Sequence, residues 1–446
     1  MPKSRPAAVP EGRAIRAARM GAMTAGIATN MALGGLAQWT KGARPKTRDL
    51  LLTPANITRI ADELARMRGA AMKMGQLMSM DTGDVLPPEL ANILGRLRAD
   101  ADFMPPRQLR TVLNEAWGEN WHRHFAEFNV RPIAAASIGQ VHRARTRDSQ
   151  TLAIKVQYPG IRRSIESDVT NVGRLIRLSG LMPRTFDLEP YLTEARRQLA
   201  EEADYGVEAQ HMEAFRAALG TEPGFVMPQI APEFSTQTVL AMSFIEGVPI
   251  EDLQAKDQGT RNRIAERLFR LMLRELFDFG LMQTDPNFAN YRYNSDDDTI
   301  VLLDFGATRR LGQEALQAVR ALSLAALDND AAALAAASQA MAFTTPDMPQ
   351  QHVDAIMDMM GVTFSGLLDP KTVDFGSLDL NAQLQSRGQA LAEDGFVPGE
   401  IPMDLLYIQR KVAGMFLLIT RLGAQLPVRA MLEEALGRRD QAARTA

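Results

Sequence analysis

The sequence predicts an α+β fold in which a small lobe containing a sheet is followed by a larger helical lobe, with further helices at both ends. Residues 130–158 carry the alternating pattern of strands, with a turn at Asp148–Ser149. Residues after 306 keep the three-and-four apolar spacing of packed helices almost to the end of the chain. Residues 53–97 have the same spacing, so helices also precede the sheet. The 446 residues suffice for two to three domains or for one bilobed domain.

Composition excludes several function classes. Hydrophobic residues make up 46% and charged residues 23% of the chain, as is ordinary for a globular protein. A net charge of −3 gives no basic face for nucleic acid, so we expect no nucleic-acid partner. The chain has no cysteine, which excludes disulfides and thiolate metal sites, and its five scattered histidines do not predict a zinc site.

Four segments are predicted along the chain. Residues 1–49 form a basic leader with a weakly apolar run, 50–128 a helical extension, 129–247 the sheet-containing lobe with inserted helices, and 248–446 the helical lobe. The apolar run is Met20–Trp39, which has no charge but several Thr, Asn and Gln residues. Spanning a membrane, docking on its surface and a soluble helix all stay open, and docking fits best. We expect a cytoplasmic protein, with peripheral association at the inner membrane left open.

Lys155 follows the apolar strand residues Leu152–Ile154. A lysine at the end of a buried strand needs a partner, because an unpaired charge in a dry site is costly. Glu208 lies on a predicted helix after the sheet and can supply that partner. A strand lysine paired with a helix glutamate is how protein kinases hold the α- and β-phosphates of ATP.

The stretch QTDPNFANYRYNSDDDTIVLLDFG, residues 283–306, carries a second constellation. Asp285 and Asn290 have the D-x-x-x-x-N spacing of a kinase catalytic loop, and we call residues 285–290 the catalytic loop. Asp304 begins a DFG triplet after a short apolar strand. One carboxylate and one amide suit Mg²⁺, which takes oxygen ligands and leaves room for phosphates. Together with Lys155, this order predicts a bilobed, protein-kinase-like fold.

Two features depart from an ordinary protein kinase. Ala134, Ala135, Ala136 and Ser137 stand where a glycine-rich loop would cover the phosphates, and their Cβ atoms limit close approach of the backbone. The chain after Gly306 enters a helix almost directly, so it shows no activation segment on which a protein substrate could dock.

With these motifs the chain resembles the UbiB-type, aarF-domain (ADCK) atypical kinase-like family of ubiquinone biosynthesis. The resemblance covers residues 50–311 and includes KMGQ, the alanine-rich AAAS, LAIKVQYPG, EADYGVEA and QTDPNFAN. KMGQ holds Lys73 and Gln76 of a K-x-G-Q signature, and EADY holds Glu202 and Asp204 of an E-x-D motif. The paired C-terminal membrane helices of the family are not evident, since VAGMFLLITRLG is short and carries Arg421.

The resemblance implies ATP and Mg²⁺ as cofactors. Lys155, oriented by Glu208, would hold phosphates, Asn290 and Asp304 would bind the metal, and Asp285 would position or deprotonate the attacking group. The alanine-rich loop and the K-x-G-Q and E-x-D residues would complete the nucleotide site. The implied function is an ATPase that supports isoprenoid-quinone synthesis or lipid homeostasis, with membrane lipid or quinone-pathway enzymes as further partners and a homodimer left open.

Lys73 and Gln76 are three residues apart and share one helical face, so Lys73 can reach an acid of the E-x-D motif. If Glu202 and Asp204 lie on one helix, their side chains diverge by about 200° around its axis, so only one of them can pair with Lys73. We expect that residue to be Glu202. A partly exposed pair would contribute about 0–1 kcal/mol.

Two other functions stay open. A phosphotransferase of the aminoglycoside or choline kinase type shares D-x-x-x-x-N and lacks an activation segment, although an occluding K-x-G-Q helix would have to move. A non-enzymatic, nucleotide-sensing scaffold is the second, and the intact set of Lys155, Asp285, Asn290 and Asp304 argues against it.

Overall fold

The computed structural model describes residues 69–70, 73–74, 103–179, 187–396, 399 and 401–438. The run Met20–Trp39 and the signature residue Gln76 lie outside these described residues. The chain divides into two compact units, the first comprising Met1–Gln210 with Gln229–Phe244 and the second His211–Pro228 with Ile245–Ala446. The four-segment division stays a prediction.

The strands are short. In chain order they are β1 Phe125–Phe128, β2 Ala134–Ala135, β3 Gly139–Thr146, β4 Thr151–Gln157, β5 Phe225–Val226, β6 Val239–Ser243, β7 Val248–Pro249, β8 Leu281–Gln283, β9 Tyr291–Asn294, β10 Thr299–Leu302, β11 Thr308–Arg310, β12 Val373–Asp374 and β13 Gln425–Leu426.

Helices make up most of the rest of the described chain. They are α1 Pro106–Trp117, α2 Ile161–Ser179, α3 Glu189–Glu202, α4 Tyr205–Leu219, α5 Gln258–Arg274, α6 Gln313–Asp328, α7 Ala331–Ala340, α8 Gln350–Leu367, α9 Leu380–Glu393, α10 Met403–Leu422 and α11 Val428–Ala435. A π-helical turn, Glu275–Phe279, continues α5. The predicted α+β class is confirmed.

The first unit is built on an antiparallel sheet in the order β1-β3-β4-β6, with β2 paired to the start of β3. In β4 the residues Leu152, Ile154 and Val156 are fully buried in the core under α1. Because strand side chains alternate between faces, Lys155 projects from the opposite face of the sheet. It pairs in register with Val141 of β3 and Leu240 of β6. The apolar period of the strand therefore decides where the lysine points.

The second unit combines two small sheets near the DFG triplet with a set of helices. One sheet has the order β5-β10-β9-β7, and a separate pair joins β8 to β11. β9 and β10 are antiparallel neighbours that carry the chain from the catalytic loop to Asp304. A core of Leu276, Met282, Ala315, Leu405 and their neighbours packs β8, α6 and α10 together. Among the residues described here, no helix is both long and apolar enough to cross a membrane.

Candidate functional site

Lys155 and Glu208 form a buried ion pair in the first unit. The ammonium Nζ lies 2.7 Å from Oε1 and 2.9 Å from Oε2 of the glutamate. Lys155 is 9% and Glu208 4% exposed, so little water screens the pair. The Nζ atom also lies 5.4 Å from the ring centroid of Tyr205, which adds a cation–π contact. The lysine is therefore held in a single direction.

Asp204 places Glu208 by capping its helix. One carboxylate oxygen of Asp204 accepts a hydrogen bond from the backbone N–H of Gly206 at 3.0 Å, just inside α4. Aspartate is a preferred N-cap because it satisfies a donor that the first turn leaves open. The other oxygen accepts from the side chain of Gln237 at 2.7 Å. Both oxygens thus help to start the helix one turn before Glu208.

The alanine-rich loop is a tight turn. Ala134 and Ala135 are the exposed residues of β2, and the N–H of Ala136 donates to the carbonyl of Gly139 at 2.9 Å. A Cβ atom added to Gly139 would lie 2.4 Å from the carbonyl oxygen of Val156, so the neighbouring strand could not come so close to any other residue. The glycine that this turn needs therefore follows the loop instead of lying within it.

Glu202 links the K-x-G-Q lysine to the alanine-rich loop. One of its oxygens forms an ion pair with Nζ of Lys73, and the other accepts a hydrogen bond from Oγ of Ser137 at 2.8 Å. The predicted pairing of Lys73 with Glu202 is confirmed. Glu202 ends α3 and Asp204 precedes α4, so the two acids do not share a helix and the condition of a shared helix is not met. Lys73 is 5% and Glu202 13% exposed, so the exposure that remains lies on the glutamate.

The catalytic loop and the DFG triplet lie together in the second unit. Asn290 donates from Nδ2 to the carbonyl oxygen of Asp285 at 3.2 Å and to its carboxylate at 3.4 Å. The N–H of Leu303 donates to the carbonyl of Asn290, and a carboxylate oxygen of Asp304 accepts from the N–H of Gly306 at 3.0 Å. Asn290 and Asp304 line one small cavity together with Phe215, Leu271, Glu275, Gln283, Tyr291, Leu302, Leu303 and Phe305.

This donor set fits Mg²⁺. The amide nitrogen of Asn290 is engaged with Asp285, so its amide oxygen is the atom that could bind a metal, and Asp304 adds a carboxylate at the same cavity. Within the described ranges, no group of three His, Asp or Glu side chains could form a cage made only of protein ligands. Mg²⁺ needs no such cage, because it is bound by one or two carboxylates and completes its octahedron with phosphate oxygens and water.

A buried network lies directly behind the catalytic loop. Lys411 of α10 and Glu275 are each 1% exposed, and Nζ lies 3.1 Å from the glutamate Oε2. The same Nζ donates to the carbonyl of Gln283 at 2.9 Å and lies 3.1 Å from the hydroxyl of Tyr291. Burial raises the pKa of Glu275 to about 7, against the opposing charge of Lys411. Burial also disfavours the charged lysine, but Glu275 and Tyr291 together outweigh this and raise the pKa of Lys411.

Two neighbours of Lys411 on α10 also contact the catalytic loop. Arg410 donates from Nη2 to Oδ1 of Asp285 at 2.7 Å, with the two side chains 12% and 22% exposed. Gly414 faces Pro286 so closely that an added Cβ would lie 2.1 Å from the proline Cβ. One face of α10 thus presents a guanidinium, an ammonium and a bare backbone to the loop.

Sequence reasoning missed Glu275, Gln283, Tyr291, Arg410 and Lys411. A signal was present for two of them. Lys411 shares the i, i+4, i+7 face of α10 with the buried Met415 and Leu418. Glu275 likewise follows the buried Leu268 and Leu271 of α5 at helical spacing. A charge on an apolar helix face predicts a buried partner, but helical spacing does not say which one.

Most of the predicted site residues that form side-chain contacts fall into three groups. Lys155 pairs with Glu208, Lys73 and Ser137 meet at Glu202, and Asp285 and Asn290 contact each other beside Asp304. Asp204 contacts the start of α4 and Gln237. The roles given to these residues, and to Gln76, stay predictions.

Comparison with known proteins places the chain in a family. The model of the ABC1 atypical kinase-like domain matches residues 96–338. The atypical kinase COQ8, mitochondrial, of Saccharomyces cerevisiae is 36% identical over 430 residues, which cover 96% of this chain and 85% of the yeast protein. The atypical kinase COQ8B, mitochondrial, of Rattus norvegicus is 36% identical over 446 residues, which cover 98% of this chain and 83% of the rat protein.

A solved structure shares the fold. The Rv3197–erythromycin complex of Mycobacterium tuberculosis superposes with a TM-score of 0.58 at 23% identity, covering 83% of this chain and 93% of that chain. At this identity the likeness is one of fold alone. The motifs, the matched domain and the relatives agree, and they identify this chain as a member of the ABC1 atypical kinase-like family.

Proposed function

We propose that this chain binds Mg-ATP and hydrolyses it, in support of isoprenoid-quinone synthesis. The observation that carries the proposal is the buried pair of Lys155 and Glu208, both less than 10% exposed. A buried ion pair contributes little net stability to a fold, because the free energy needed to remove two charges from water can exceed their attraction. A lysine aimed by a carboxylate is instead what binding of phosphates requires.

The residues of the second unit supply the remaining roles. Asn290 and Asp304 would hold Mg²⁺, whose charge, when the metal is bound, stabilises negative charge on phosphate oxygens. Asp285 would orient the attacking water, and its contacts to Arg410 and Asn290 fix its carboxylate beforehand. Holding groups in place before reaction is the main source of catalysis in phosphoryl transfer, where the protein does little covalent chemistry.

The pathway and its partners rest on the family resemblance. The relatives named COQ8 and COQ8B are described as mitochondrial atypical kinases, and the chain shares more than 95% of its length with both. By analogy, quinone-pathway enzymes or membrane lipid are the proposed further partners, and the proposed location is the cytoplasmic face of the inner membrane.

Nucleotide binding is tested with Asp304→Asn. Removing the carboxylate charge should abolish the part of the ATP-induced rise in Tm that needs Mg²⁺, because a ligand of the native state adds RT ln(1 + [L]/Kd) to stability. The matched control is Asp297→Asn, an exposed loop aspartate whose carboxylate accepts a hydrogen bond from Thr299. An Asp304→Asn protein that keeps the full Mg-dependent rise in Tm would overturn the metal assignment.

Hydrolysis is tested by phosphate release from wild type and from Lys155→Met. The proposal expects release by wild type with water alone and loss of release in the variant. Release only after a small hydroxyl acceptor is added would favour the phosphotransferase instead. Tight binding without release, with or without phenols and lipids, would favour the nucleotide-sensing scaffold.

A further inference from the structure

We infer that helix α10 positions the catalytic loop and that Lys411 is the residue through which it does so. The inference deepens the proposed function, since the loop in question carries Asp285 and Asn290. Its basis is the way in which one buried ammonium contacts the chain on both sides of the loop.

The contacts of Lys411 bracket the loop. Gln283 lies two residues before Asp285, and Tyr291 directly follows Asn290. Nζ of Lys411 donates to the carbonyl of Gln283 at 2.9 Å and contacts the Gln283 side-chain oxygen at 3.2 Å and the Tyr291 hydroxyl at 3.1 Å. A single rigid donor therefore fixes the separation of the two stems from which the loop projects.

Glu275 keeps the ammonium charged in a dry environment. Its two oxygens lie 3.3 and 3.1 Å from Nζ, and both side chains are 1% exposed. An ammonium without this carboxylate would be expensive to bury. The pair thus makes possible a strong, charge-assisted hydrogen bond to a backbone carbonyl at a place that water does not reach.

The rest of α10 supports the same function. Arg410 reaches the carboxylate of Asp285, and Gly414 lets the helix backbone approach Pro286. Residues 410, 411 and 414 share one side of a helix, since steps of three and four residues return to the same face. The helix therefore meets the loop at its stems, its carboxylate and its proline.

A purely structural role and a positioning role of Lys411 predict different behaviour when both charges of the Lys411–Glu275 pair are removed, which we call the neutral pair. Lys411→Met alone leaves Glu275 buried without a partner, so a failure of this variant to fold would be uninformative. The double variant Lys411→Met/Glu275→Gln removes both charges together, which buried pairs often tolerate. Stability should then recover, whereas the hold on the Gln283 carbonyl remains lost.

The experiment compares wild type, the neutral pair and Arg421→Met. Arg421 lies on α10 but forms an exposed pair with Glu251, so it serves as the control. We expect the neutral pair to keep its Kd for Mg-ATP within about threefold and to lose about 10- to 100-fold in kcat, since small misplacements of reacting groups cost that much. Arg421→Met should match wild type. A folded neutral pair with wild-type kcat would reduce Lys411 to a structural role.

Hydrogen–deuterium exchange provides a readout that does not depend on activity. Amides of residues 284–291 should exchange faster in the neutral pair than in wild type, while those of β3 and β4 do not change. If wild type proves inactive, the proposed function fails, and exchange still decides the positioning role. Unchanged exchange in the loop would overturn it.

Glu275→Gln covers the case in which the neutral pair does not fold. This variant removes the carboxylate charge that holds the ammonium, so we expect the amides of residues 284–291 to exchange faster than in wild type and kcat to fall by more than about threefold. A folded Glu275→Gln protein with wild-type exchange in the loop and wild-type kcat would overturn the inference. Failure of both variants to fold would make the network a requirement for folding, which also contradicts a positioning role.

Discussion

Lys73→Met tests whether the family-specific lysine holds the first unit together. Lys73 is 5% and Glu202 13% exposed, so the substitution leaves a nearly buried carboxylate without its cation. Breaking one side of a buried pair costs about 3–5 kcal/mol. The hydrogen bond from Ser137 still satisfies one oxygen of Glu202 after the substitution. We therefore expect the free energy of unfolding to fall by about 3 kcal/mol, at the low end of that range.

The assay is denaturant unfolding of wild type, Lys73→Met, Glu202→Gln and the double variant. The double variant should lose less stability than the sum of the single variants, because it leaves no uncompensated charge. Arg145→Met is the control, since Arg145 lies 4.0 Å from Glu127 in a pair more than half exposed, and such pairs are worth at most about 1 kcal/mol.

Two results would refute this reasoning. One is a fall of less than about 1 kcal/mol in the free energy of unfolding for Lys73→Met, which would mean that water screens this pair as it screens the pair of Arg145 with Glu127. The other is strict additivity in the double-variant cycle, which would mean that the ion pair of Lys73 with Glu202 carries no coupling.

Three further predictions concern other parts of the chain. In Gly414→Ala the added Cβ should displace Pro286 and lower kcat at least tenfold. The control is Gly388→Ala, whose added Cβ meets no atom within 4 Å and which should raise Tm slightly. Equal kcat values for the two variants would contradict the close contact between Gly414 and Pro286. Burial favours neutral Asp298, but hydrogen bonds from arginines and a tyrosine outweigh it and lower its pKa from 3.8 to about 2. Its contribution to stability is therefore present above about pH 4 and lost as pH falls towards 2, so acid titration of Tm should show the wild-type advantage over Asp298→Asn disappearing in that window. Deleting residues 1–44 should abolish co-sedimentation with liposomes and keep nucleotide binding; equal sedimentation would favour a soluble helix for Met20–Trp39.

The sequence was sufficient for residues whose position in the fold follows from local pattern. The apolar run Leu152–Ile154 predicts a strand that carries Lys155, and the structure has this strand as β4. The spacing of Asp285 and Asn290 places them on one loop, where they contact each other. Such patterns are informative because strand period and turn length are set by backbone geometry within a few residues.

Pairings across longer separations were partly accessible from the sequence. The K-x-G-Q and E-x-D motifs led to the ion pair of Lys73 with Glu202. Neither motif indicated that α3 ends at Glu202, that Asp204 caps the next helix, or that Ser137 shares the carboxylate. The burial that turns a weak pair into a strong one depends on how α3 packs, and periodicity does not report it.

The sequence by itself determined the family motifs, the strand that carries Lys155 and the loop that carries Asp285. Only the tertiary structure decided what holds that loop. Lys411 lies 128 residues beyond Gln283 and 136 beyond Glu275, and nothing in the spacing of these residues connects them. Their contact depends on α10 packing against α5 and β8, and such packing is selected by the shape and volume of a whole core. The helical pattern of α10 places Lys411 on an apolar face, whereas the partners of a buried charge are decided by the fold.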